Sequence, residues 1–376
     1  MNSTRERPRI QESSGGAAAS RVQIVDTDVH PVPRSVDDLR SHLQPPWRDV
    51  PDNLLASDPL LLYLATGQPY RRDAVPVGGG PAGSDPELAR QQLLEAAGVD
   101  YAILLPLVRT FPNQELEAAL CTAMNDWLHE TWLTEYNEGG NYWGSINVCA
   151  GQARLAAAEI ERWAGNPRMV QVRFNAYAGA PYGDPQYDPI YEVAERNGLP
   201  IAVHFSKGSG TSLLTPAGYL TTYFEHHALY PLTYGAHLVS LVFGGVFERF
   251  PRLRYAFIEG GFCWVGPLLQ RMDRHWEELR DELPWVTRRP SDYVRDNVRF
   301  SSQPIEEPAE KAQLAAALET AQASRLLMYS SDYPHWDFDD PAFVLRQIPR
   351  ALHDRVLRDN ALEFYRLPEI RSGVAA

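Results

Sequence analysis

Lysine and cysteine are both scarce in this chain of 376 residues. Only two of its 35 basic residues are lysines, Lys207 and Lys311, so any site that needs a lysine has two positions to draw on. The three cysteines, Cys121, Cys149 and Cys263, are too widely spaced for a disulfide framework or a zinc ribbon. This cysteine usage favours a reducing compartment, and we expect a cytoplasmic protein.

The sequence also lacks a long apolar run, an excess of positive charge and an apolar leader. The longest apolar run covers about Leu238–Phe247, well short of the roughly 18 residues that a membrane span needs. The net charge is −13, so a nucleic-acid partner is not expected, because phosphate binding requires a basic surface. Residues 1–20 are polar and have no apolar segment typical of a signal peptide. We expect them to form a disordered tail.

After residue 21 the sequence alternates regularly between strand and helix patterns. Hydrophobic residues make up 44% of the chain, which is enough for a large core. Short apolar and β-branched runs predict eight strands, over Val22–His30, Tyr101–Leu107, Tyr142–Ala150, Met169–Tyr177, Pro200–Ser206, Leu253–Gly261, Val298–Gln303 and Ser324–Asp332. Apolar residues spaced three and four apart predict the intervening helices, over Glu115–Tyr136, Ala153–Ala164, Asp188–Gly198, Tyr234–Phe250, Pro267–Leu279 and Glu306–Ala323.

Eight strands that alternate with helices fit either a doubly wound sheet or a closed (β/α)8 TIM barrel. No Gly-x-Gly-x-x-Gly motif follows the first strand, which disfavours a dinucleotide-binding sheet, and the count of eight favours the barrel. Residues 31–99 are too long for one connection and are rich in proline and glycine. We predict an insertion after strand 1, partly a lid over the barrel mouth, that ends in a helix over Asp85–Ala97. Residues 21–376 are then expected to form a single barrel domain.

Polar residues close four of the predicted strands. Strand 1 ends with three of them at alternate positions, which places their side chains on one face, inside the barrel. Strands 5, 6 and 8 each close with one, so that the full set is Asp26, Asp28, His30, His204, Glu259 and Asp332. Singly, each has an ordinary explanation as a solvated strand end, a core histidine or a helix cap. Together, at the C-terminal face of a barrel, imidazoles and carboxylates form a plausible coordination set for a divalent metal ion.

The order of these residues resembles the metal-dependent amidohydrolase superfamily (amidohydrolase family 2), in the branch related to aminocarboxymuconate-semialdehyde decarboxylase. The likeness covers about residues 22–366 and depends on Asp28-Val29-His30, His204, residues 244–253 (GGVFERFPRL) and Ser331-Asp332-Tyr333-Pro334-His335. It implies a TIM barrel in which Asp28, His30, His204 and Asp332 bind the metal. The same resemblance implies that Asp332 also handles protons.

Two positions depart from the family pattern. The family usually has His-x-His on strand 1, where this chain has Asp28, although some decarboxylases of the branch have Glu-x-His. The family often has a histidine at the end of strand 6, where this chain has Glu259. Members with two metals bridge them with a carboxylated lysine on strand 4, which contains no lysine here. We therefore predict one divalent ion, with zinc as the first choice and manganese as the alternative.

Carboxylate ligands also bear on the reaction. With Asp28 and Asp332 as ligands, the formal charge of the ion is neutralised, and its bound water becomes a weaker acid. This impairs attack by metal-bound hydroxide more than it impairs decarboxylation, in which the metal mainly orients oxygens of the substrate. The proton for the vacated carbon would come from Asp332 or Glu259. The first hypothesis is therefore a non-oxidative decarboxylase of a small cyclic or unsaturated carboxylic acid.

An acidic substrate also needs a counter-charge in so negative a pocket. Arg173, facing inward on strand 4, is the first candidate for a bidentate carboxylate clamp, and Lys207 is the second. Arg173 has an alternative explanation as a structural salt bridge to Asp26 or Glu259. His335 is a further candidate for contact with the substrate.

Two other functions stay open at this point. One is a hydrolase that opens a lactone, cyclic amide or ester, and the other is a non-catalytic binding barrel with weakened metal affinity. His226 and His227 are expected to be solvated in a loop, and His237 is expected to pack in the core. A homodimer is the default expectation for the assembly.

Overall fold

Eight parallel strands form the centre of the chain in its computed structural model, which describes residues 21–55, 70–206, 214–215, 218–220 and 222–370. The strands pair in sequence order and extend over Val25–Val29 (β1), Tyr101–Leu104 (β2), Tyr142–Asn147 (β3), Met169–Asn175 (β4), Ile201–His204 (β5), Tyr255–Phe257 (β6), Val298–Ser301 (β7) and Leu327–Met328 (β8). The predicted tail, residues 1–20, lies outside the described residues. This strand order confirms the predicted (β/α)8 barrel.

Hydrogen bonds between β1 and the segment that follows β8 close the barrel. Thr27 N donates to Tyr329 O at 3.1 Å, His30 N donates to Tyr333 O at 2.7 Å, and Asp332 N donates to Asp28 O at 3.1 Å. Because parallel strands share one direction, their carboxyl ends all emerge at one end of the barrel. The closure therefore brings the ends of strands 1 and 8 side by side at that end.

Helices cover the outside of the sheet. They extend over Val36–Ser41 (α1), Asp52–Leu55 (α2), Pro86–Ala89 (α3), Gln114–Trp127 (α4), Ala153–Trp163 (α5), Asp188–Arg196 (α6), Tyr223–Ala228 (α7), Tyr230–Phe243 (α8), Val246–Arg249 (α9), Val265–Leu279 (α10), Pro290–Asn297 (α11), Lys311–Thr320 (α12), Ala323–Leu326 (α13), Pro341–Gln347 (α14) and Asn360–Tyr365 (α15). Shorter stretches of π-helix lie at Arg90–Ala96, Leu128–Glu135 and Arg355–Asp359, and 3₁₀ turns lie at Trp47–Asp49, Arg72–Ala74, Pro185–Tyr187, Arg280–Glu282 and Arg350–Leu352. Within the described part of the chain, no helix combines the length and apolar character that a membrane crossing requires.

Several predicted boundaries are wrong, each for a local reason. The predicted strand Ser324–Asp332 begins as helix α13, and only Leu327 and Met328 pair with β7. The predicted helix Tyr234–Phe250 begins earlier, at Tyr230, and breaks after Phe243, because Gly245 adopts a left-handed conformation with φ of 71°. The predicted helix Glu306–Ala323 begins only at Lys311.

Two apolar layers enclose the sheet. The outer layer lies between the strands and the helices, and both faces of the strands are buried, as is usual for parallel sheets. The inner layer includes Val25, Ile103, Ala202 and Met328 inside the barrel and continues into Phe364 of α15. One end of the barrel is thus filled by apolar side chains, which leaves polar chemistry to the other end.

The predicted insertion, residues 31–99, packs back onto the carboxyl end of the barrel where it is described. Tyr70 forms an isolated antiparallel bridge with His335, and Arg71 N donates to Pro334 O at 2.9 Å. The insertion then ends in α3 and the π-helix Arg90–Ala96, which matches the helix predicted over Asp85–Ala97. Asp85 caps this helix through Glu87 N and Leu88 N.

A glycine in the connection after β4 tests the packing of the outer layer. Gly183 N donates to Ser240 Oγ of α8 at 3.0 Å, and a Cβ at Gly183 would overlap the Ser240 carbonyl group. Since a backbone carbonyl cannot rotate away, we expect Gly183→Ala to destabilise the fold by about 3 kcal/mol. The control Gly179→Ala, where a Cβ meets nothing within 4 Å, should change the stability by less than about 0.5 kcal/mol. Denaturant unfolding of both variants measures this difference, and equal midpoints would contradict the described packing.

Candidate metal centre

The four predicted metal ligands meet at the carboxyl end of the barrel. Asp28, His30, His204 and Asp332 each offer one donor atom within 4.8 Å of the other three. His30 Nε2 lies 2.8 Å from Asp332 Oδ1 and 3.1 Å from Asp28 Oδ1, and His204 Nε2 lies 3.4 Å from Asp28 Oδ1. All four side chains are buried. Strands 1, 5 and 8, which are far apart in the sequence, therefore supply one compact cluster.

The donor atoms in this cluster are available to a metal ion, because most of them make no hydrogen bond. Among the described residues, neither Asp28 oxygen, nor Nε2 of His30 or His204, nor Oδ2 of Asp332 has a hydrogen-bond partner. The opposite ring nitrogens are engaged: Nδ1 of His30 donates to Leu105 O at 2.8 Å, and Nδ1 of His204 donates to Phe205 O. Both histidines thus turn Nε2 towards the centre, and each ring in its neutral form offers a lone pair there. Two imidazoles and two carboxylates suit a divalent cation.

Electrostatics in the cluster also call for positive charge at its centre. Burial disfavours the charged form of His30, but Asp28 and Asp332 outweigh it and raise the pKa of that ring to about 10. Burial likewise opposes ionisation of Asp28, yet His30 and His204 hold its pKa below the ordinary value. Burial lowers the pKa of His204. Two buried carboxylates are thus balanced by one proton, and a divalent ion would balance them more completely.

Two of the carboxylates belong to residues with a strained backbone conformation. Glu259 and Asp332 have φ angles of 64° and 60°, in the left-handed region that non-glycine residues rarely adopt. Glu259 N donates to Ser301 Oγ at 2.8 Å, and Asp332 O accepts from His335 N at 2.8 Å. Such strain, of order 1–3 kcal/mol for each residue, is typical of functional sites.

Asp26 does not join the cluster, although strand alternation predicts that it shares a face with Asp28 and His30. The register of β1 against β2 shifts between Asp26 and Val29, and a bulge of this kind changes the facing of side chains. Asp26 Oδ1 instead accepts from Ser331 N at 2.9 Å and Asp28 N at 3.1 Å. Burial raises the pKa of Asp26 to about 7. Its role is to join strand 1 to the segment after strand 8.

Glu259 lies directly beside the four donors. Its Oε2 is 3.3 Å from His204 Nε2, and it forms a second group of donor atoms with Asp332 and His335. Burial, together with the negative charges of Asp332 and Asp28, raises the pKa of Glu259 well above its ordinary value. In contrast, burial is outweighed at Asp332 by His335 and His30, which hold the pKa of Asp332 well below its ordinary value. The pKa values of the Glu259 and Asp332 carboxyl groups are thus shifted in opposite directions.

The histidine pair predicted in a loop lies on helix α7 instead. Thr222 caps this helix with a capping box to Glu225, a local signal that the sequence reading missed. His227 Nε2 lies 3.1 Å from Asp337 Oδ2 and 4.0 Å from Glu259 Oε1. The pair is partly buried rather than solvated, because α7 packs over the barrel mouth.

His237 packs in the core, as predicted. Its Nε2 donates to Ala176 O at 2.8 Å, and its ring stacks on Tyr182 with centroids 4.3 Å apart.

A pocket of about 720 Å³ opens from the cluster. His30, His335 and Ser206 line it on the side of the cluster. The remaining wall is mostly apolar and comes from the insertion, from the segment between β2 and α4, and from α4 itself, including Pro31, Leu39, Tyr70, Leu107, Phe111 and Met124. The segment after β2 also contributes Arg109, which the sequence reading missed because nothing in the local pattern separates it from a surface arginine.

The predicted substrate contacts have different positions. Arg173 is 2% exposed, and its Nη1 donates to Val108 O at 2.8 Å, whereas its Nε and Nη2 have no hydrogen-bond partner among the described residues. The described residues show no ion pair between Arg173 and Asp26 or Glu259. His335 lines the pocket, with its Nδ1 2.5 Å from Asp332 Oδ1. Lys207 lies outside the described residues.

Loss of one ring tests the cluster as a metal site. We expect His204→Ala to reduce bound metal from about one equivalent to less than about a tenth, because one of four donors is removed. Added Mn²⁺ should raise the melting temperature of the wild type and not that of the variant. Elemental analysis and thermal unfolding measure the two effects. The control His275→Ala removes an exposed ring on α10 and should change neither. Full metal occupancy in the His204 variant would refute the site.

Comparison with known proteins identifies the family to which this chain is similar. Residues 25–367 match the amidohydrolase family. The fold matches amidohydrolase map2389c from Mycobacterium avium subsp. paratuberculosis K-10 at 18% identity and a TM-score of 0.70, over 92% of this chain and 100% of that one. It matches 2,6-dihydroxybenzoate decarboxylase from Rhizobium at 18% identity and a TM-score of 0.64, over 92% and 99% of the two chains.

A third similar structure contains both a metal and a ligand. It is 5-carboxyvanillate decarboxylase from Novosphingobium aromaticivorans DSM 12444, complexed with manganese and 4-hydroxy-3-methoxy-5-nitrobenzoic acid. Its identity to this chain is 16% and its TM-score is 0.63, over 92% of this chain and 96% of that one. No curated protein sequence matches this chain. Because the family match covers most of the chain, this protein belongs to the amidohydrolase family.

Proposed function

We propose that this protein is a metal-dependent, non-oxidative decarboxylase of a small cyclic or unsaturated carboxylic acid. The observation that carries the proposal is the buried cluster of Asp28, His30, His204 and Asp332, whose free donor atoms lie next to an apolar pocket. Two of the similar structures are decarboxylases of aromatic acids, which supports the same class of reaction. The three cysteines of this protein are unpaired, which supports the expected cytoplasmic location.

The four clustered residues would hold one divalent ion. Two carboxylates among the four donors favour manganese over zinc, since oxygen ligands suit the harder ion, and manganese is present in one similar structure. When bound, the ion would draw electron density from the oxygens of the substrate and stabilise the charge that develops as the carboxylate departs.

Arg173 supplies the counter-charge for the acidic substrate in this proposal. Its guanidinium is buried and keeps two nitrogens without partners among the described residues. It also lies close enough to His204 to lower the pKa of that ring. A buried guanidinium with free donors binds a carboxylate strongly, because both groups are withdrawn from water.

Glu259 is the better candidate for the proton donor. Decarboxylation breaks a carbon–carbon bond, releases neutral carbon dioxide and leaves an electron pair on carbon that takes up a proton. A donor must hold that proton near neutral pH, which the raised pKa of Glu259 allows and the lowered pKa of Asp332 does not. Asp332 then serves as a ligand that stays ionised, and His335 fixes its orientation.

Product analysis tests the reaction. The manganese-loaded protein is incubated with 2,6-dihydroxybenzoate or 5-carboxyvanillate in D₂O, and we expect carbon dioxide release with deuterium at the vacated carbon. Glu259→Gln should lower kcat by about 100-fold or more while it leaves metal content unchanged, because the amide cannot donate the same proton. Glu306→Gln is the control, since Glu306 Oε1 accepts from Phe262 N and Cys263 N after the Glu259 turn and an amide oxygen can still accept both bonds. A ring-opened product without carbon dioxide from a lactone or cyclic amide would favour the hydrolase instead.

Arg173 has a test of its own. We expect Arg173→Met to raise KM for an acidic substrate by about 10-fold or more, because a buried charge pair is lost, without a change in metal content. Arg299→Met is the matched control, since Arg299 is also buried on a barrel strand but lies near Phe364, at the opposite end. Steady-state kinetics and elemental analysis separate the two effects. An unchanged KM in the Arg173 variant would leave that residue a purely structural role.

A further inference from the structure

We propose that the substrate carries an alkyl chain on its ring, and that Met124 of α4 limits the length of chain that the pocket accepts. This inference rests on the proposed function for the identity of the reacting end, which lies at the metal cluster. It adds a substrate class to that function, namely a ring acid with an alkyl substituent of several carbons.

Four buried aliphatic side chains form one end of the pocket. They are Leu39 of α1, Leu55 of α2, and Leu120 and Met124 of α4, and we refer to them as the aliphatic end. Leu120 and Met124 are four residues apart, so they lie on one face of α4. Helix α1 packs against both α2 and α4. Three helices from two distant parts of the sequence therefore meet around this space.

The aliphatic end is separate from the reacting end of the pocket. His30 and His335 line the pocket beside the metal cluster, 2.8 and 2.5 Å from Asp332 Oδ1. The aliphatic end instead belongs to the apolar layer outside the sheet, where α4 packs against β3. A ligand that fills both parts extends from the interior of the barrel to the layer of helices around it.

The aliphatic end offers no hydrogen bonds to an occupant. Among the described residues that line the pocket, those from α1, α2 and α4 are all leucine or methionine. Leu120 and Met124 also lie inside α4, where backbone N–H and C=O groups are bonded within the helix. A polar group placed here would lose its hydrogen bonds to water and gain none, whereas a methylene group is stabilised by leaving water. The occupant that fits is therefore an alkyl group.

The position of Met124 along α4 makes it the residue that limits chain length. Helix α4 begins just after the segment 107–111, which lines the pocket near the barrel mouth. Met124 lies one turn beyond Leu120, about 6 Å farther along the helix from that segment. A chain that passes Leu120 therefore reaches Met124 next. Because a methionine side chain is flexible and unbranched, it adapts to chains of different length up to the limit of the space.

A series of ring acids with growing chains tests the proposal. The Kd values of 3- and 4-n-alkylbenzoates, from methyl to hexyl, are measured by calorimetry on the manganese-loaded protein. In at least one of the two series, we expect the affinity to rise about threefold or more for each of roughly the first three added methylene groups, because each one leaves water. The affinity should stop rising once the aliphatic end is full.

Two substitutions at Met124 should shift this dependence in opposite directions. Met124→Phe places a rigid ring in the space and should remove most of the rise. Met124→Ala enlarges the space and should extend the rise by about one or two carbons. The control Met272→Ala makes the same truncation at a buried methionine of α10 that does not line the pocket, and it should leave the series unchanged. Thermal unfolding and metal content show that each variant is intact.

The other outcomes are equally decisive. Affinities that do not change with chain length in either wild-type series, no binding of any member, or a wild-type dependence in the Met124 variants would each overturn the proposal. If one Met124 variant does not fold, the other decides. Because binding is measured without turnover, a dependence that the Met124 variants shift supports the proposal even if no carbon dioxide is released, in which case only the proposed reaction fails.

Discussion

The balance of buried charge at the carboxyl end of the barrel is the constraint on which the rest of this structure depends. Asp28, Asp332 and Glu259 are all withdrawn from water within one small volume, and carboxylates in such a place cannot all ionise without compensation. The protein meets this constraint with a raised pKa at Glu259, with imidazoles around the other two carboxylates and with free donor atoms that suit a cation. The chemistry proposed for the site follows from that compensation.

The two ends of the barrel have different roles, so that apolar packing at one end offsets the unfavourable burial of carboxylates at the other. Apolar side chains inside the strands, continued by α15, supply hydrophobic burial at one end, which favours folding by roughly 25 cal/mol per Å². At the other end, backbone hydrogen bonds between β1 and the segment after β8 fix the carboxylates, and Asp26 adds one more bond across the same seam, from Ser331 N. The backbone strain of the positive φ angles at Glu259 and Asp332 is tolerated because the surrounding packing and hydrogen bonds hold these residues in place.

Sequence periodicity predicted the barrel and its eight strands, because these depend on local alternation. The polar residues that end the strands, together with the resemblance to the amidohydrolase family, predicted the residues that form the cluster. Sequence periodicity did not predict the exclusion of Asp26, since a bulge in the pairing of β1 with β2 is set by the neighbouring strand and leaves no local trace. It placed His227 in a loop because the helix containing it is short and lies on the barrel mouth. It missed Arg109, because a pocket wall exists only after two distant segments have packed together.

Charge also explains how a product would leave the site that we propose. A carboxylate substrate brings negative charge to Arg173, next to ligands that already neutralise a divalent ion. When carbon dioxide departs as a neutral molecule and carbon takes up the proton of Glu259, the negative charge leaves the substrate and passes to the Glu259 carboxylate, which must then regain a proton from solvent, and the buried guanidinium loses its partner. Binding therefore weakens in the step that completes the chemistry, because an Arg–carboxylate pair in a poorly solvated site contributes far more than contact between an arginine and a neutral ring.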